Sequence, residues 1–245
     1  MKYNFRKSFD ISYSKADRWL KLGLVEAVSI AQEMNTDYFR SIGSDNLTVK
    51  TKDNALWVLA KTRLHFVDFP KWGDVVYARS YTLKSHGFRS EIETEYENHG
   101  KLAFVSRQEL CVIDATSRGV RRIETISYPK DMELEPETVP IKFFRLKEDF
   151  TEDCLVYKDY FRLTDIDFSN HVNNVAYVRY IANAMDKEFF ANRKIVDFEI
   201  QYKHECLEGH ELGVYKKDID ENTVDFQIKS DGNVAVDARI VHTAQ

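Results

Sequence analysis

One order of hydrophobic patterns runs through the chain twice, and this repetition restricts the fold more than any other feature. In each half a strand pattern is followed by one amphipathic helical stretch and then by several strands. In the first half Leu20, Leu24, Ala27, Ala31 and Met34 fall at helical spacing. Ser14-Lys15-Ala16-Asp17 reads as the start of that helix, with Ser14 as cap and Asp17 near the positive end of the dipole. Gly43 reads as its end. In the second half Leu155 to Leu163 reads as a strand, and Val178, Ala182, Met185 and Phe189 form the amphipathic stretch. Even the turns correspond: Phe69-Pro70-Lys71-Trp72-Gly73-Asp74 stands against Glu205-Cys206-Leu207-Glu208-Gly209-His210. Such a pattern implies an internal duplication. One helix against one antiparallel sheet is an α+β arrangement. A sheet wrapped around a single central helix has this element order, and two such units in tandem are expected.

The strands support the layout. Val58, Ala60, Thr62, Leu64 and Phe66 alternate with Lys61, Arg63 and His65. Ile92, Thr94 and Tyr96 alternate with Glu91, Glu93, Glu95 and Glu97, which predicts one acidic, solvent-facing side. Asn98-His99-Gly100 reads as a hairpin turn, and Leu102 to Ile113 as the next strand. Later strands are expected at Ile195–Cys206, Leu212–Asp218, Thr223–Lys229 and Val234–His242. Residues 129–152 hold Pro129, Pro136 and Pro140 among many acids, so they read as a linker between a unit over 1–128 and a unit over 153–245.

Composition narrows the class. A hydrophobic fraction of 43% suffices for a real core, and 245 residues permit one large or two small domains. The net charge of −5 argues against nucleic acid as partner. Cys111, Cys154 and Cys206 are widely spaced and form no CxxC pair, so neither a zinc site nor a disulfide framework is expected. No run approaches the ~20 apolar residues of a membrane span. The first residues, Met1 to Lys7, lack the apolar run of a signal peptide, so a reducing cytoplasm is the expected location. Neither a Gly-rich phosphate loop nor a metal-ligand cluster occurs, and no cofactor is expected.

The chemistry concentrates in Asp165-Ile166-Asp167-Phe168-Ser169-Asn170-His171-Val172-Asn173-Asn174. Groups that orient or carry protons crowd around His171 here. The segment leads into the second helix, where Asp and Asn are favoured as caps and where backbone N–H groups point outward. Two readings stand at this point: a loop offering a base together with oxyanion donors, or caps around a structural histidine.

Continued through Val175-Ala176-Tyr177, the segment resembles the active-site segment of the plant and bacterial acyl-[acyl carrier protein] thioesterases. A second segment, Glu199-Ile200-Gln201-Tyr202-Lys203-His204-Glu205-Cys206, resembles that family's strand ending in Glu-Cys. The resemblance covers nearly the whole chain and implies a tandem double hotdog fold. Carried over by position, Asp167 and His171 match the motif aspartate and histidine, and Glu205 and Cys206 match the later acid and cysteine. Ser169 stands where many members place an asparagine; its hydroxyl can still donate a hydrogen bond there, or neighbouring Asn170 takes over. Asn173 and Asn174 are expected to face substrate.

The resemblance implies hydrolysis of fatty acyl-[acyl carrier protein] to free fatty acid and holo-carrier protein. Two routes fit the residues. Glu205 activates a water while His171 and Asp167 position groups around the carbonyl, or Cys206 attacks, activated by His171. The first is favoured, since a cysteine is often a small buried hydrophobe. Strict alternation, however, puts Glu205 with Asp197, Glu199, Gln201 and Lys203 on a solvent face, and a bulge would have to re-aim it. The first half, with Tyr13-Ser14-Lys15-Ala16-Asp17-Arg18-Trp19 at the matching place, lacks a counterpart of the His171 segment, so one active site is expected. By resemblance the first half shapes the acyl pocket, with Trp57, Trp19, Met34, Leu59 and Phe66 as candidate liners. An acidic carrier protein calls for cations; Arg118, Arg121 and Arg122 are the densest cluster, with Lys142, Arg145 and Lys147 beyond. Acyl-CoA hydrolysis, a non-catalytic acyl-thioester-binding hotdog and a hotdog dehydratase or hydratase are the rival readings, and a homodimer is left open.

Overall fold

The computed structural model of the chain describes residues 3–146 and 149–244. It divides into two compact units, Met1–Ile141 and Lys142–Gln245.

In the first unit, β1 (Asn4–Asp10) leads to helices α1 (Leu24–Ser41) and α2 (Asn46–Asp53). Strands β2 (Ala55–Phe66), β3 (Val75–His86), β4 (Arg89–Asn98), β5 (Lys101–Asp114) and the short β6 (Val120–Arg121) follow. The sheet order is β1-β3-β4-β5-β2, antiparallel throughout, with β6 on β5. Ala27, Ile30, Ala31, Met34 and Tyr38 recur at helical spacing and are buried where α1 packs on β1, β3 and β4. Burying Ile30 and Met34 contributes about 1.5–3 kcal/mol each.

α1 starts nine residues later than the Ser14 cap implies. Tyr13–Lys15 forms only a 3-10 turn, and Gly23 is the N-cap residue. The intervening chain closes on itself instead: Asp17 N–H donates to Lys21 O (2.7 Å) and Gly23 N–H to Lys15 O (3.1 Å). α2 was not anticipated. Asp45 caps it by accepting from Leu47 N–H and Thr48 N–H, a Ser-Asp-Asn start that the sequence displays. The hairpin at His99-Gly100 is as expected: both residues have positive φ, 51° and 73°, as a two-residue turn of this kind requires.

Two strand faces differ from simple alternation. β2 carries a bulge between Leu59 and Lys61. Before it the odd positions Ala55 and Trp57 face the core, and after it Leu64 and Phe66 do. The acidic side of β4 is not open to solvent either. Glu93 is fully buried, accepting from Tyr81 Oη (2.7 Å) and Thr138 N–H (2.7 Å) and pairing with the Arg107 guanidinium. Arg79 holds Glu95 (3.1 Å) and Glu135 (2.7 Å). The cover is the expected linker itself. Arg107 also donates to the carbonyls of Val139 and Ile141, so residues 135–141 lie across these acids as a strap.

The second unit repeats the plan with β7 (Leu155–Tyr160), α3 (Asn174–Asn183), α4 (Lys187–Asn192), β8 (Arg193–Tyr202), β9 (Glu211–Asp220), β10 (Thr223–Ser230) and β11 (Asn233–Ala244). The order is β8-β11-β10-β9-β7, again antiparallel. The second amphipathic stretch is broken: Asp186 accepts from Phe189 N–H (2.7 Å) and begins α4, so Val178 and Phe189 sit on different helices. Polar groups on the outer face of this sheet are also covered. Glu199, fully buried, accepts from Phe144 N–H (2.7 Å), and Lys229 donates to Phe150 O (2.8 Å).

The duplication extends to individual backbone bonds. Gly73 N–H donates to Ile11 O (3.0 Å) and Gly209 N–H to Phe161 O (2.9 Å). Leu22 N–H donates to Pro70 O (2.8 Å) and Val172 N–H to Cys206 O (2.9 Å). The turn correspondence read from the sequence is therefore a structural equivalence.

Candidate active site

The His171 segment does lead into the second unit's helix, and two aspartates divide the work of holding it. Asp165 is buried; its carboxylate accepts from Arg162 N–H (2.8 Å), Arg179 Nη2 (2.6 Å) and Tyr180 Oη (2.7 Å). Its carbonyl accepts from Asn173 N–H (2.8 Å). Asp165 therefore anchors the loop to α3. Between Ile166 and Val172, which pair as an isolated bridge, the chain makes a tight turn. Asp167 N–H donates to His171 O (2.9 Å) and Asn170 N–H to Asp167 O (3.0 Å). Asn170 has φ 64°, a conformation asparagine tolerates better than most residues, and its side chain is exposed. Its place is thus a turn position.

The turn brings four of the candidate side chains into a row. Asp167 Oδ1 accepts from Ser169 N–H (2.8 Å) and from Ser169 Oγ (2.5 Å). Ser169 Oγ lies 3.2 Å from His171 Nδ1. His171 Nε2 lies 3.5 Å from Glu205 Oε2, and both side chains are partly open to solvent, at 31% and 44%. Glu205 reaches this position because β8 ends at Tyr202. Lys203 N–H and His204 N–H both donate to Ala235 O (2.9 and 3.2 Å), a bulge-like crowding that breaks the alternation before Glu205.

The other expected site residues are placed differently. Cys206 is buried; burial pushes its thiol pKa up, and Sγ donates to His204 O at 3.9 Å, beside Tyr177 and Ser230. A thiol held protonated is a poor nucleophile. Asn173 is the N-cap of α3, accepting from Val175 N–H (2.9 Å), and its carbonyl takes Ala176 N–H (2.9 Å), so both donors are used inside the helix. Asn174 is the first residue of α3, and its carbonyl accepts from Tyr202 Oη (3.3 Å). Among the liners, Trp57 is a core residue against Phe39 and Tyr128, with Nε1 donating to Ser44 O (2.8 Å). Leu59 flanks that cluster, Met34 and Phe66 are buried, and Trp19 is on the surface.

The expected docking cations separate. Arg121 is tied to Asp53 O, Thr125 O (3.1 Å) and Asp114 (3.7 Å), which makes it a clamp between β6 and the end of α2. Arg122 is 60% exposed. It lines an open cleft of about 630 Å³ with Lys84, His86, Phe88 and Arg89, where Glu91, Glu109 and Glu124 pair with the cations. Arg118, Lys142 and Arg145 are exposed, and Lys147 lies outside the described residues. Among the described residues there is no group of three or more His, Cys, Asp or Glu placed to hold a metal, and no helix is long and apolar enough to cross a membrane.

The first unit holds a second copy of the loop with different chemistry. Trp19 N–H donates to Asp17 Oδ1 (2.8 Å), Leu20 N–H to Asp17 O (3.0 Å), and Leu20 has φ 60°. By these bonds Asp17, Trp19, Leu20 and Lys21 occupy the places of Asp167, Ser169, Asn170 and His171. The loop backbone thus has a counterpart that the sequence reading missed, while its relay side chains do not.

A duplicated helix-on-sheet unit, with an Asp-Ser-His-Glu row in its second copy, defines a tandem hotdog protein. The acyl-ACP thioesterase N-terminal domain matches residues 2–125, and the acyl-ACP thioesterase C-terminal domain matches residues 151–244. The chain belongs to the acyl-ACP thioesterase family. It is 24% identical over 218 residues to a chloroplastic dodecanoyl-[acyl-carrier-protein] hydrolase of Cinnamomum camphora, covering 82% of this chain and 56% of that one. Over 225 residues it is 22% identical to oleoyl-acyl carrier protein thioesterase 1 of Arabidopsis thaliana, covering 76% and 56%. The chain thus spans about half the length of the curated relatives it matches. Its fold matches a solved acyl-ACP thioesterase from Bacteroides thetaiotaomicron with a TM-score of 0.88 at 17% identity, over 98% of each chain. It also matches the 12:0-ACP thioesterase from Umbellularia californica at 0.83 and 16%, over 99% and 98%.

Proposed function

We propose that this chain hydrolyses fatty acyl-[acyl carrier protein] thioesters to free fatty acid and holo-carrier protein, ending chain elongation. The row Asp167–Ser169–His171–Glu205 carries the reading, since it places a base and a proton carrier side by side at a partly open loop. Glu205 takes a proton from water as that water attacks the thioester carbonyl. The carbonyl becomes an oxyanion at the positive end of the α3 dipole, where Asn174 N–H is the first helical donor. Glu205 passes that proton to His171 Nε2; collapse then breaks the C–S bond, and the imidazolium so formed gives the proton to the departing thiolate. Cys206 stays outside this route because its thiol is buried and protonated. The acyl tail is assigned to the first unit's interior by family resemblance, and Trp57 and Leu59 at the Phe39–Tyr128 cluster are the liners that suit it. Cys111, Cys154 and Cys206 are free thiols, which suits a reducing compartment such as the cytoplasm.

The test is release of free fatty acid from matched acyl-carrier-protein and acyl-CoA substrates across chain lengths. Carrier-protein thioesters should be preferred, and His171→Ala and Glu205→Ala should each lower kcat by ~10²-fold or more. Cys206→Ser should cost less than about tenfold. Loss of ~10³-fold in Cys206→Ser with a mild Glu205→Ala would make the thiol the nucleophile. An enoyl or hydroxyacyl product, or no release from either carrier, would remove the hydrolase reading.

A further inference from the structure

Ser169 is the one place where the active-site row departs from the pattern it resembles, and the row's hydrogen count gives that departure a consequence. Two oxygens 2.5 Å apart, Ser169 Oγ and Asp167 Oδ1, need a hydrogen between them. A carboxylate only accepts, so the hydrogen is the serine's own. The hydroxyl has only that one hydrogen. Toward His171 Nδ1, 3.2 Å away, Ser169 Oγ is therefore left as an acceptor, and the ring nitrogen must be the donor. The second ring nitrogen, Nε2, then faces Glu205 Oε2 at 3.5 Å. With the hydrogen of the neutral ring on Nδ1, Nε2 carries only a lone pair and can receive a proton from Glu205.

We infer that Ser169 is a positioning residue that sets the direction of this row, holding the His171 proton on Nδ1 and turning Nε2 toward Glu205 as the site of proton exchange. The inference deepens the hydrolase reading and rests on it for its catalytic meaning. The tautomer itself is a property of the resting protein. A neutral imidazole in water prefers its hydrogen on Nε2, so the row holds the ring in the less common form. With the hydrogen on Nε2, the ring would already be a donor toward Glu205. It would then be unable to receive the proton that Glu205 takes from water. An asparagine at position 169 can make the same two bonds with the same polarity: its amide N–H donates toward Asp167 and its amide oxygen accepts from Nδ1. Alanine can make neither, and aspartate accepts from the ring but sets a second carboxylate against Asp167.

The test is nitrogen NMR of the full chain labelled in its seven histidines, with His171→Gln to assign the resonance. In the unsubstituted protein, above the pH where the ring is neutral, His171 should show a protonated Nδ1 and an unprotonated Nε2. Ser169→Asn should keep that pattern and Ser169→Ala should shift the ring toward the Nε2-protonated form. In parallel, Ser169→Ala should lower kcat by roughly ten- to a hundredfold with KM little changed, and move the acidic limb of the kcat–pH profile, while Ser169→Asn restores both. An Nε2-protonated ring in the unsubstituted protein, or an unchanged tautomer and pH profile in Ser169→Ala, would overturn the inference. Absence of thioester hydrolysis together with the expected tautomer would remove the hydrolase reading alone, so the two failures are distinguishable.

Discussion

Asp165 and Asp167 stand two residues apart in one loop, and replacing each by asparagine should give opposite results. The Asp165 carboxylate takes three donors, from Arg162 N–H, Arg179 and Tyr180, in a buried position. An amide of the same shape has one accepting oxygen, and its NH₂ would face a donor. The loss is one bond to a charged acceptor, about 1.5–3 kcal/mol, and one buried donor left unsatisfied, about 1–3 kcal/mol. The Arg179 side chain is 49% exposed, so the ion pair itself adds less than about 1 kcal/mol. A total near 3 kcal/mol corresponds to roughly 6–12 °C in Tm for a chain of this size. Asp167→Asn touches only the exposed donors of Ser169 and should move Tm by under about 2 °C while lowering kcat by ~10²-fold. Circular dichroism melts and kcat at 25 °C, on the same preparations, read both quantities. If Asp165→Asn melts like the unsubstituted protein, or loses kcat as Asp167→Asn does at unchanged Tm, the division of labour is wrong.

Two further predictions follow from the first unit. Arg122→Glu should raise KM for an acyl-carrier-protein substrate by about three- to tenfold and leave a small thioester mimic unaffected; equal loss on both substrates would end the docking role. Leu20→Asn should raise Tm by about 2–4 °C at unchanged kcat, because a leucine at φ 60° carries about 1 kcal/mol of strain that asparagine relieves; a lower Tm would show that the exposed leucine side chain is needed there.

The duplication was legible because it depends on periodicity and turn residues, which are local. The linked turns at 69–74 and 205–210 align as the sequence suggested, down to Gly73 and Gly209 donating to equivalent carbonyls. The misreadings had a common cause in long-range contact. Glu93 and Glu199 look like surface acids in a period-two pattern, but the strap over 135–141 covers Glu93 and the chain at Phe144 covers Glu199. Trp57 faces the core only because a bulge at Leu59–Lys61 inverts the strand's faces. Of the site, Asp167, His171, Glu205 and Ser169 were all visible in sequence, and the structure brings them into one row. The caps and anchors among them were not separable from the chemistry, since Asp165, Asn170 and Asn173 are the same residue types used for hydrogen bonding within the loop.

The two loop copies separate the bonds of the turn from those of the side-chain row. Asp17 and Asp167 both accept the N–H two residues ahead, each at 2.8 Å, so an accepting side chain at this position serves the turn whether or not anything reacts there. What Asp167 has in addition is the second donor, Ser169 Oγ, and through it the ring of His171. In the first unit Trp19 has no hydroxyl to relay a hydrogen bond, Lys21 has an ammonium that only donates, and Phe69 stands at the turn position of Glu205. The same backbone therefore holds an Asp-Ser-His-Glu row in one unit and Trp19, Leu20, Lys21 and Phe69 in the other. Activity assigned from the aspartate alone would fit both loops. Assigned from the hydroxyl that joins aspartate to histidine, it fits only the second.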